Sequence, residues 1–263
     1  MWKILKTRLQ QGYRTSDYPK GPSGLPERFR GRPAVSSQPC AEGCSACAES
    51  CPTRAIQISA DRRVRLDLGK CLFCTECVSA CPEGIVAYSM DHRLAARQRE
   101  DLVLSGEEAR LAQALDEKAR KLFGRSLKLR QVCAGSCNGC EAELTVLNNV
   151  VFDLNRFGIQ FVASPRHADG LVVTGPVTAH MRAALRAAYD AIPEPKLVIA
   201  VGACAISGGL FAGSPQAHDG ADSTVPVDLY IPGCPPHPLT ILDGLLRLLG
   251  RIGSEKDCKN VPS

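Results

Sequence analysis

Apolar residues in the second half of the chain fall into short unbroken runs, separated by longer stretches with helical periodicity. Residues 127–132, 159–163, 171–174, 197–201 and 227–231 read as strands, and 141–154, 178–191 and 239–249 as helices. Runs without polar alternation belong to strands buried on both faces, so the pattern predicts a mainly parallel sheet covered by helices, a doubly wound α/β fold. Nearer the N-terminus, Trp2, Leu5 and Leu9 recur at helical spacing, with Lys3, Lys6 and Arg8 elsewhere around the turn. That short amphipathic helix needs cover for its apolar side: anionic lipid headgroups, a partner subunit or the chain's own surface. The Pro-, Gly- and Arg-rich run 19–33 reads as an extended arm lying along a partner. Ser105 with Glu108 forms a capping-box signature, and helix formers dominate 107–123, which predicts a linker helix. The uncharged stretch 197–217 is long enough to cross a bilayer, but Gly202, Gly208, Gly209, Gly213 and Pro215 break it, so a buried strand and loop are expected instead.

Composition adds one anomaly, 14 cysteines in 263 residues. The N-terminus has no apolar signal segment, so a location in the reducing cytosol is expected, where clustered cysteines serve as metal ligands rather than disulfides. Residues 1–34 carry eight Lys/Arg against Asp17 and Glu27, a net of +6, so the remainder of this +5 chain carries −1. The basic footprint of a nucleic-acid-binding protein is therefore missing from the body of the chain, and no nucleic-acid partner is expected.

Eight cysteines between 36 and 90 form two similar blocks, each followed by a strand-like stretch at 54–58 or 84–88. The second block, Cys71-x2-Cys74-x2-Cys77-x3-Cys81-Pro82, has the ligand spacing of bacterial two-cluster ferredoxins, in which the fourth cysteine serves the other cluster. The repeat then assigns Cys40, Cys44, Cys47 and Cys81 to one [4Fe–4S] cluster and Cys71, Cys74, Cys77 and Cys51 to a second. Zinc also takes Cys-x2-Cys pairs, but gives no reason for a third cysteine at the same interval and a Cys-Pro ending. The first block departs from the rule, with three residues between Cys40 and Cys44 where two are usual. Four further cysteines, Cys137, Cys140, Cys204 and Cys234, follow strands of the α/β region, at the carboxyl edge where open α/β sheets bind ligands. They are expected to hold a third cluster, making three [4Fe–4S] clusters in all; the bland alternative makes Cys204 and Cys234 small core residues. Cys133 reads as structural or as a substitute ligand, and Cys258 as a tail residue.

The segments Gly135-Ser136-Cys137-Asn138-Gly139-Cys140-Glu141, Ser164-Pro165-Arg166-His167-Ala168-Asp169, Val173-Thr174-Gly175-Pro176-Val177-Thr178, Val201-Gly202-Ala203-Cys204 and Pro232-Gly233-Cys234-Pro235-Pro236 resemble the small subunit of membrane-associated [NiFe] hydrogenases and its complex I relative. Residues 1–92 resemble the two-cluster ferredoxin subunit of the same complexes, as though two neighbouring subunits had fused. The resemblance implies that Cys137, Cys140, Cys204 and Cys234 hold the cluster proximal to a nickel–iron site on a separate large subunit. It also implies further electron-transfer and membrane subunits as partners, peripheral association with the cytoplasmic face of the cell membrane, and no catalytic centre on this chain. The Cys137-x2-Cys140 spacing is similar to the hydrogenase form, whereas the complex I counterpart carries adjacent cysteines; a quinone-reducing complex I-type fusion is the alternative. The organisation expected is a basic helix and arm (1–35), a two-cluster ferredoxin-like α+β domain (36–92), a helical linker (93–125), a flavodoxin-like parallel-sheet domain (126–252) and a tail (253–263). Beside the cysteines, Glu141 reads as a proton or docking group or as a helix N-terminal carboxylate, Arg166 and His167 as neighbours of the proximal cluster or a salt bridge, and His237 as a neighbouring or surface residue.

Overall fold

A computed structural model of the chain describes residues 2–21, 24–106 and 110–252. Helix α1 (Trp2–Gln11) forms where the apolar spacing predicts it, but none of its residues is buried: Trp2 is 84% exposed and Leu9 83%. Its apolar side therefore does not pack on the chain's own surface.

The arm that follows does pack on its own chain, contrary to the expectation of a segment laid along a partner. Thr15 and Ser16 bond to the carbonyls of Val150 and Val151, and Arg156 donates to the carbonyls of Ser16 and Tyr18 at 2.7 and 2.8 Å. Farther on, Gly31 and Arg32 donate to the carbonyls of Ser89 and Asp91. The arm's backbone polar groups find partners on this chain, which holds an otherwise irregular segment in place.

Strand β1 (Pro33–Val35) then opens a small α+β unit with α2 (Ala46–Glu49), β2 (Ile56–Ile58), β3 (Val64–Asp67), α3 (Glu76–Ala80), β4 (Val86–Tyr88) and β5 (Val103–Leu104). β1 pairs antiparallel with β4, and β2, β3 and β5 form a second antiparallel sheet. α2 packs on α3, so the two cysteine blocks face each other.

Of the predicted linker helix, the described part is helical only from Glu117, as α4 (Glu117–Phe123); Glu108, the capping-box partner, lies outside the described residues. Before it, Ala112 and Leu115 are buried and donate to the carbonyls of Ala95 and Leu248, so tertiary pairing overrides local helix propensity in 110–116. Asp116 caps α4 by accepting from the Ala119 amide at 2.9 Å.

The α/β unit runs β6 (Leu127–Cys133), α5 (Gly139–Val146), β7 (Ile159–Phe161), β8 (Gly170–Thr174), α6 (Ala179–Asp190), β9 (Leu197–Val201), α7 (Ala203–Ser207), β10 (Leu229–Ile231) and α8 (Pro238–Leu248). Its five strands are all parallel, in the order β10-β9-β8-β6-β7. Renumbered within the unit this is 2-1-3-4-5, the flavodoxin-like order. β8 and β9 are buried on both faces, Leu171, Val173, Val198 and Ala200 facing one core and Val172, Leu197, Ile199 and Val201 the other. The predicted helix over 141–154 stops at Val146, and 154–157 forms a 3₁₀ turn instead. No helix among the described residues is long and apolar enough to cross a membrane; the stretch 197–217 holds β9, α7 and a 3₁₀ turn.

The smaller unit shares a core with one face of the large sheet, Leu66, Leu68 and Leu102 joining Val173, Ile206 and Tyr230. Ala96 also pairs antiparallel with Tyr230 on the edge strand β10, through hydrogen bonds of 3.0 and 2.9 Å.

Candidate metal centres

The cysteines of the two N-terminal blocks lie in short helices and the turns around them. Cys47 is in α2 and Cys77 in α3, while Cys51 and Cys81 sit just past those helices, each followed by proline. The two blocks exchange their fourth members in space. Cys81 acts on Cys40 and Cys47 together with Cys44, whereas Cys51 acts on Cys71 and Cys77, the latter together with Cys74. Cys51, Cys71, Cys74 and Cys77 line one small enclosed cavity, closed by Leu66, Leu72 and Tyr88.

At the carboxyl edge of the large sheet, Cys137 stands in the loop after β6, Cys140 in α5, Cys204 in α7 after β9, and Cys234 after β10. All four are close enough to influence one another, although almost 100 residues separate the first from the last. The loop after β6 leaves the sheet beside β8, at the topological switch point between those two strands where such folds bind ligands. Gly202, with φ +91°, permits this convergence: a Cβ there would lie 2.5 Å from the Cys140 sulfur. Asn138 and Thr75, each directly after the first cysteine of a Cys-x2-Cys turn, adopt left-handed backbone at φ +70° and +72°, so the same bend recurs in both units.

The chemistry of these sulfurs fits a multi-iron cluster. All thirteen described cysteines are free. Burial, followed by the neighbouring sulfurs, pushes the Cys47 and Cys204 thiols up to about 11; burial, then the Glu141 carboxylate and the neighbouring sulfurs, raises Cys140 further. Burial likewise pushes Cys71 up to about 11. Thiols so crowded ionise only if positive charge is placed among them, as bound metal does. Backbone amides already point at sulfur: Ala55 at Cys51 (3.2 Å), Phe73 at Cys71 (3.3 Å) and Ile85 at Cys81 (3.4 Å). Among the described residues no three His, Cys, Asp or Glu gather around a single metal ion. An iron–sulfur cube, with iron at several corners, spaces its thiolates wider than one zinc at about 2.3 Å from each sulfur.

Cys74 and Cys234 line the same cleft, of about 360 Å³, and the charge of Cys74 reaches Cys234. The second set of four therefore adjoins the third. Arg30, from the arm, also lines the cleft and donates to the carbonyls of Phe73 (3.0 Å) and Cys74 (3.3 Å). Asp67, paired in two-toothed fashion with Arg99 at 2.7 and 2.8 Å, accepts from the Gly69 amide and braces the turn into Cys71.

The remaining candidates have more local roles. Glu141 is 8% exposed and accepts hydrogen bonds from Ser136 and Thr174; burial pushes its carboxyl up, but those bonds outweigh it and hold the group below the usual range. Its Oε2 is buried without a partner among the described residues. Cys133 is exposed, with its sulfur 3.6 Å from the Ser136 hydroxyl, and stands beside Glu141 rather than with the four sulfurs. His237 caps α8, its Nδ1 accepting from the Leu239 amide, and packs edge-on against Phe29. Arg166 and His167 are exposed on a 3₁₀ turn and form no ion pair among the described residues. Cys258 lies outside the described residues. Sequence reading missed Tyr88, Arg30, Ser136 and Thr174. Thr174 ends an otherwise apolar strand, the one signal that could have drawn attention to it.

Comparison with known proteins agrees with this division. Residues 40–85 match the 4Fe-4S dicluster domain, and residues 137–248 match the family described as NADH ubiquinone oxidoreductase, 20 Kd subunit. The probable membrane-bound hydrogenase subunit mbhJ of Pyrococcus furiosus is 44% identical over 132 residues, covering 50% of this chain and 79% of that protein. Formate hydrogenlyase subunit 7 of Escherichia coli is 47% identical over 130 residues, 49% of this chain and 51% of that one, so the chain spans about half its length. An NADH-quinone oxidoreductase subunit of Geotalea uraniireducens is 46% identical over 118 residues, covering 45% of this chain and 69% of its own. With iron–sulfur motifs at its N-terminal end and a flavodoxin-like sheet converging four cysteines at its other, the chain belongs to the family of the 20 Kd subunit of NADH ubiquinone oxidoreductase, which here follows a 4Fe-4S dicluster domain.

Proposed function

We propose that this chain is the electron-relay subunit of a membrane-associated [NiFe] hydrogenase of the formate hydrogenlyase type, carrying electrons through three [4Fe–4S] clusters to or from a nickel–iron site on a separate large subunit. The observation that carries this reading is the shared cleft of Cys74 and Cys234, which sets the second group of cysteines beside the third, while the packing of α2 on α3 sets the first group beside the second. Cys40, Cys44, Cys47 and Cys81 would hold the first cluster, Cys51, Cys71, Cys74 and Cys77 the second, and Cys137, Cys140, Cys204 and Cys234 the third. Bound clusters supply one-electron carriers; the chain's own work is to ligate them, bury them from water and fix their spacing. The reduction of two protons to H₂, or its reverse, belongs to the large subunit, and this chain contributes no catalytic centre. The chain would attach peripherally at the cytoplasmic face of the membrane; the attachment itself, though not the face, is supported by α1, whose exposed Trp2, Leu5 and Leu9 are flanked by Lys6 and Arg8, the composition of an interfacial helix.

A second reading is favoured by the likeness to the NADH-quinone oxidoreductase subunit: a complex I-type fusion whose α/β unit passes electrons to quinone. The Cys137-x2-Cys140 spacing argues for the hydrogenase form. Purifying the complex anaerobically from its host decides between them. At least about twelve iron atoms per copy of this chain, with the partners' own iron in addition, and H₂ evolution from a reduced dye are expected; quinone reduction without H₂ evolution would establish the alternative, and zinc in place of this chain's iron would overturn both.

A further inference from the structure

The two N-terminal cysteine groups are related by an internal repeat of 30 residues, and their hydrogen bonding should match if they were electronically equal. One part does match. The Ala55 amide donates to the Cys51 sulfur at 3.2 Å, and its repeat mate, the Ile85 amide, donates to the Cys81 sulfur at 3.4 Å. Two other parts break the symmetry, and both favour the same group.

First, the Phe73 amide donates to the Cys71 sulfur two residues before it, at 3.3 Å. The extra residue between Cys40 and Cys44 alters the corresponding turn, and among the described residues the Cys40 sulfur accepts no such bond. Second, the hydroxyl of Tyr88 lies 3.5 Å from the Cys71 sulfur, in the cavity that Cys77 also lines. The residue thirty positions earlier is Ile58, which has nothing to donate. Thr53 adds nothing to the favoured group: its hydroxyl lies 3.8 Å from the Cys51 sulfur but donates to the Lys70 carbonyl at 2.7 Å. An ordinary phenol stays protonated to about pH 10, and a metal-bound thiolate can only accept, so Tyr88 is the donor.

We propose that Tyr88 sets a potential difference between the two dicluster sites, making the group Cys51, Cys71, Cys74 and Cys77 the more easily reduced. Hydrogen bonds to ligand sulfur stabilise the added negative charge of the reduced form and so raise the potential. The favoured group is also the one that shares a cleft with Cys234, so Tyr88 acts as a positioning residue that draws electrons to the α/β side of the relay. The inference rests on the ligand assignment proposed above.

The test is an EPR-monitored redox titration of the anaerobically purified complex. Two dicluster signals should titrate separately. Tyr88→Phe keeps the ring beside Phe73, centroids 6.1 Å apart, and removes only the hydroxyl. It should lower the upper midpoint, shifting the electron's distribution between the two sites about tenfold, about 59 mV for a one-electron couple, and leave the lower midpoint unchanged. Site-specific 3,5-difluorotyrosine at position 88, a stronger donor of the same shape, should shift the upper midpoint the other way, and it decides the matter if the Phe variant loses iron. Full iron content with both midpoints unmoved, or a shift confined to the lower one, overturns the role of Tyr88. Absence of two dicluster signals from the unaltered complex overturns the relay assignment itself.

Discussion

Removing the Tyr18 hydroxyl should loosen the arm that binds the two halves of the molecule together. Tyr18 is buried and donates to Asp243 Oδ1 at 2.7 Å, while His92 Nε2 lies 3.4 Å from the Tyr18 hydroxyl oxygen. Asp243 in turn holds Arg247 at 2.7 Å, the two side chains being 1% and 4% exposed. A hydrogen bond to a charged acceptor contributes about 1.5–3 kcal/mol, and every 1.4 kcal/mol is a factor of about ten. Tyr18→Phe keeps the edge-on packing against His92, so the loss should fall on the hydroxyl's interactions, chiefly the bond to Asp243. The fraction of molecules with the arm released should rise by about tenfold to about a hundredfold. Trypsin cleavage after Lys20, followed by mass spectrometry under native conditions, reads that fraction directly when opening is fast relative to cutting. Arg156→Gln, which removes the donors to the Ser16 and Tyr18 carbonyls, supplies the comparison. A cleavage rate changed less than twofold by Tyr18→Phe, with a large effect of Arg156→Gln, would refute the claim that the buried cluster holds the arm.

The same site predicts a pH dependence. Burial holds His92 neutral, so its folded pKa lies below the ordinary 6.5, and a released arm takes up a proton that the closed one refuses. Closure should be complete above about pH 6.5 and weaken as the pH falls below it, measured by the same cleavage; a pH-independent rate between 7 and 5 would contradict this. At the third cysteine group, Cys204→Ser should abolish its cluster signal and the activity of the complex while the two dicluster signals persist, and an unchanged set of EPR signals would count against the ligand assignment. Gly202→Ala should lower iron at that same group by crowding the Cys140 sulfur, whereas iron analysis equal to the unaltered protein would show that the loop can move aside.

Much of this architecture is legible in the sequence because buried parallel strands leave unbroken apolar runs. β9 is found at 197–201 as predicted, and the alternation of strands and helices gives the fold class correctly. What is not legible depends on partners far away in the chain. The segment 110–116 has helix-forming composition, yet it is drawn out by carbonyls at Ala95 and Leu248 that no local pattern announces. The arm over 19–33 reads as a linker because, apart from local turns, the bonds that hold it and the residues before it go to distant segments such as 73–74, 89–91 and 150–156. The cysteine groups are readable from spacing, since a rigid cofactor imposes a fixed interval. Tyr88 is not, because a tyrosine in a short strand looks like any other core residue until its hydroxyl is seen against sulfur.

The spacing between the second and third cysteine groups follows from how the sheet ends. In the order β10-β9-β8-β6-β7, β10 is an edge strand with backbone groups free on one side, and Cys234 lies three residues beyond it. The segment just after the second cysteine block covers that edge, Ala96 exchanging two hydrogen bonds with Tyr230. Ser207 in α7 donates to the Gly69 carbonyl at 2.8 Å, and Gly69 lies so close to Ile206 that a Cβ there would meet its side chain at 2.8 Å. The turn that carries Cys71 and Cys74 is thus held in register with the strand that carries Cys234, by backbone pairing on one side and close packing on the other. A flexible tether would let the two groups drift apart, and electron hopping depends steeply on separation. Registration through main-chain hydrogen bonds, which any substitution other than proline leaves available, gives the fusion of two units into one chain its physical advantage: the gap is set by the fold rather than by the affinity of two subunits for each other.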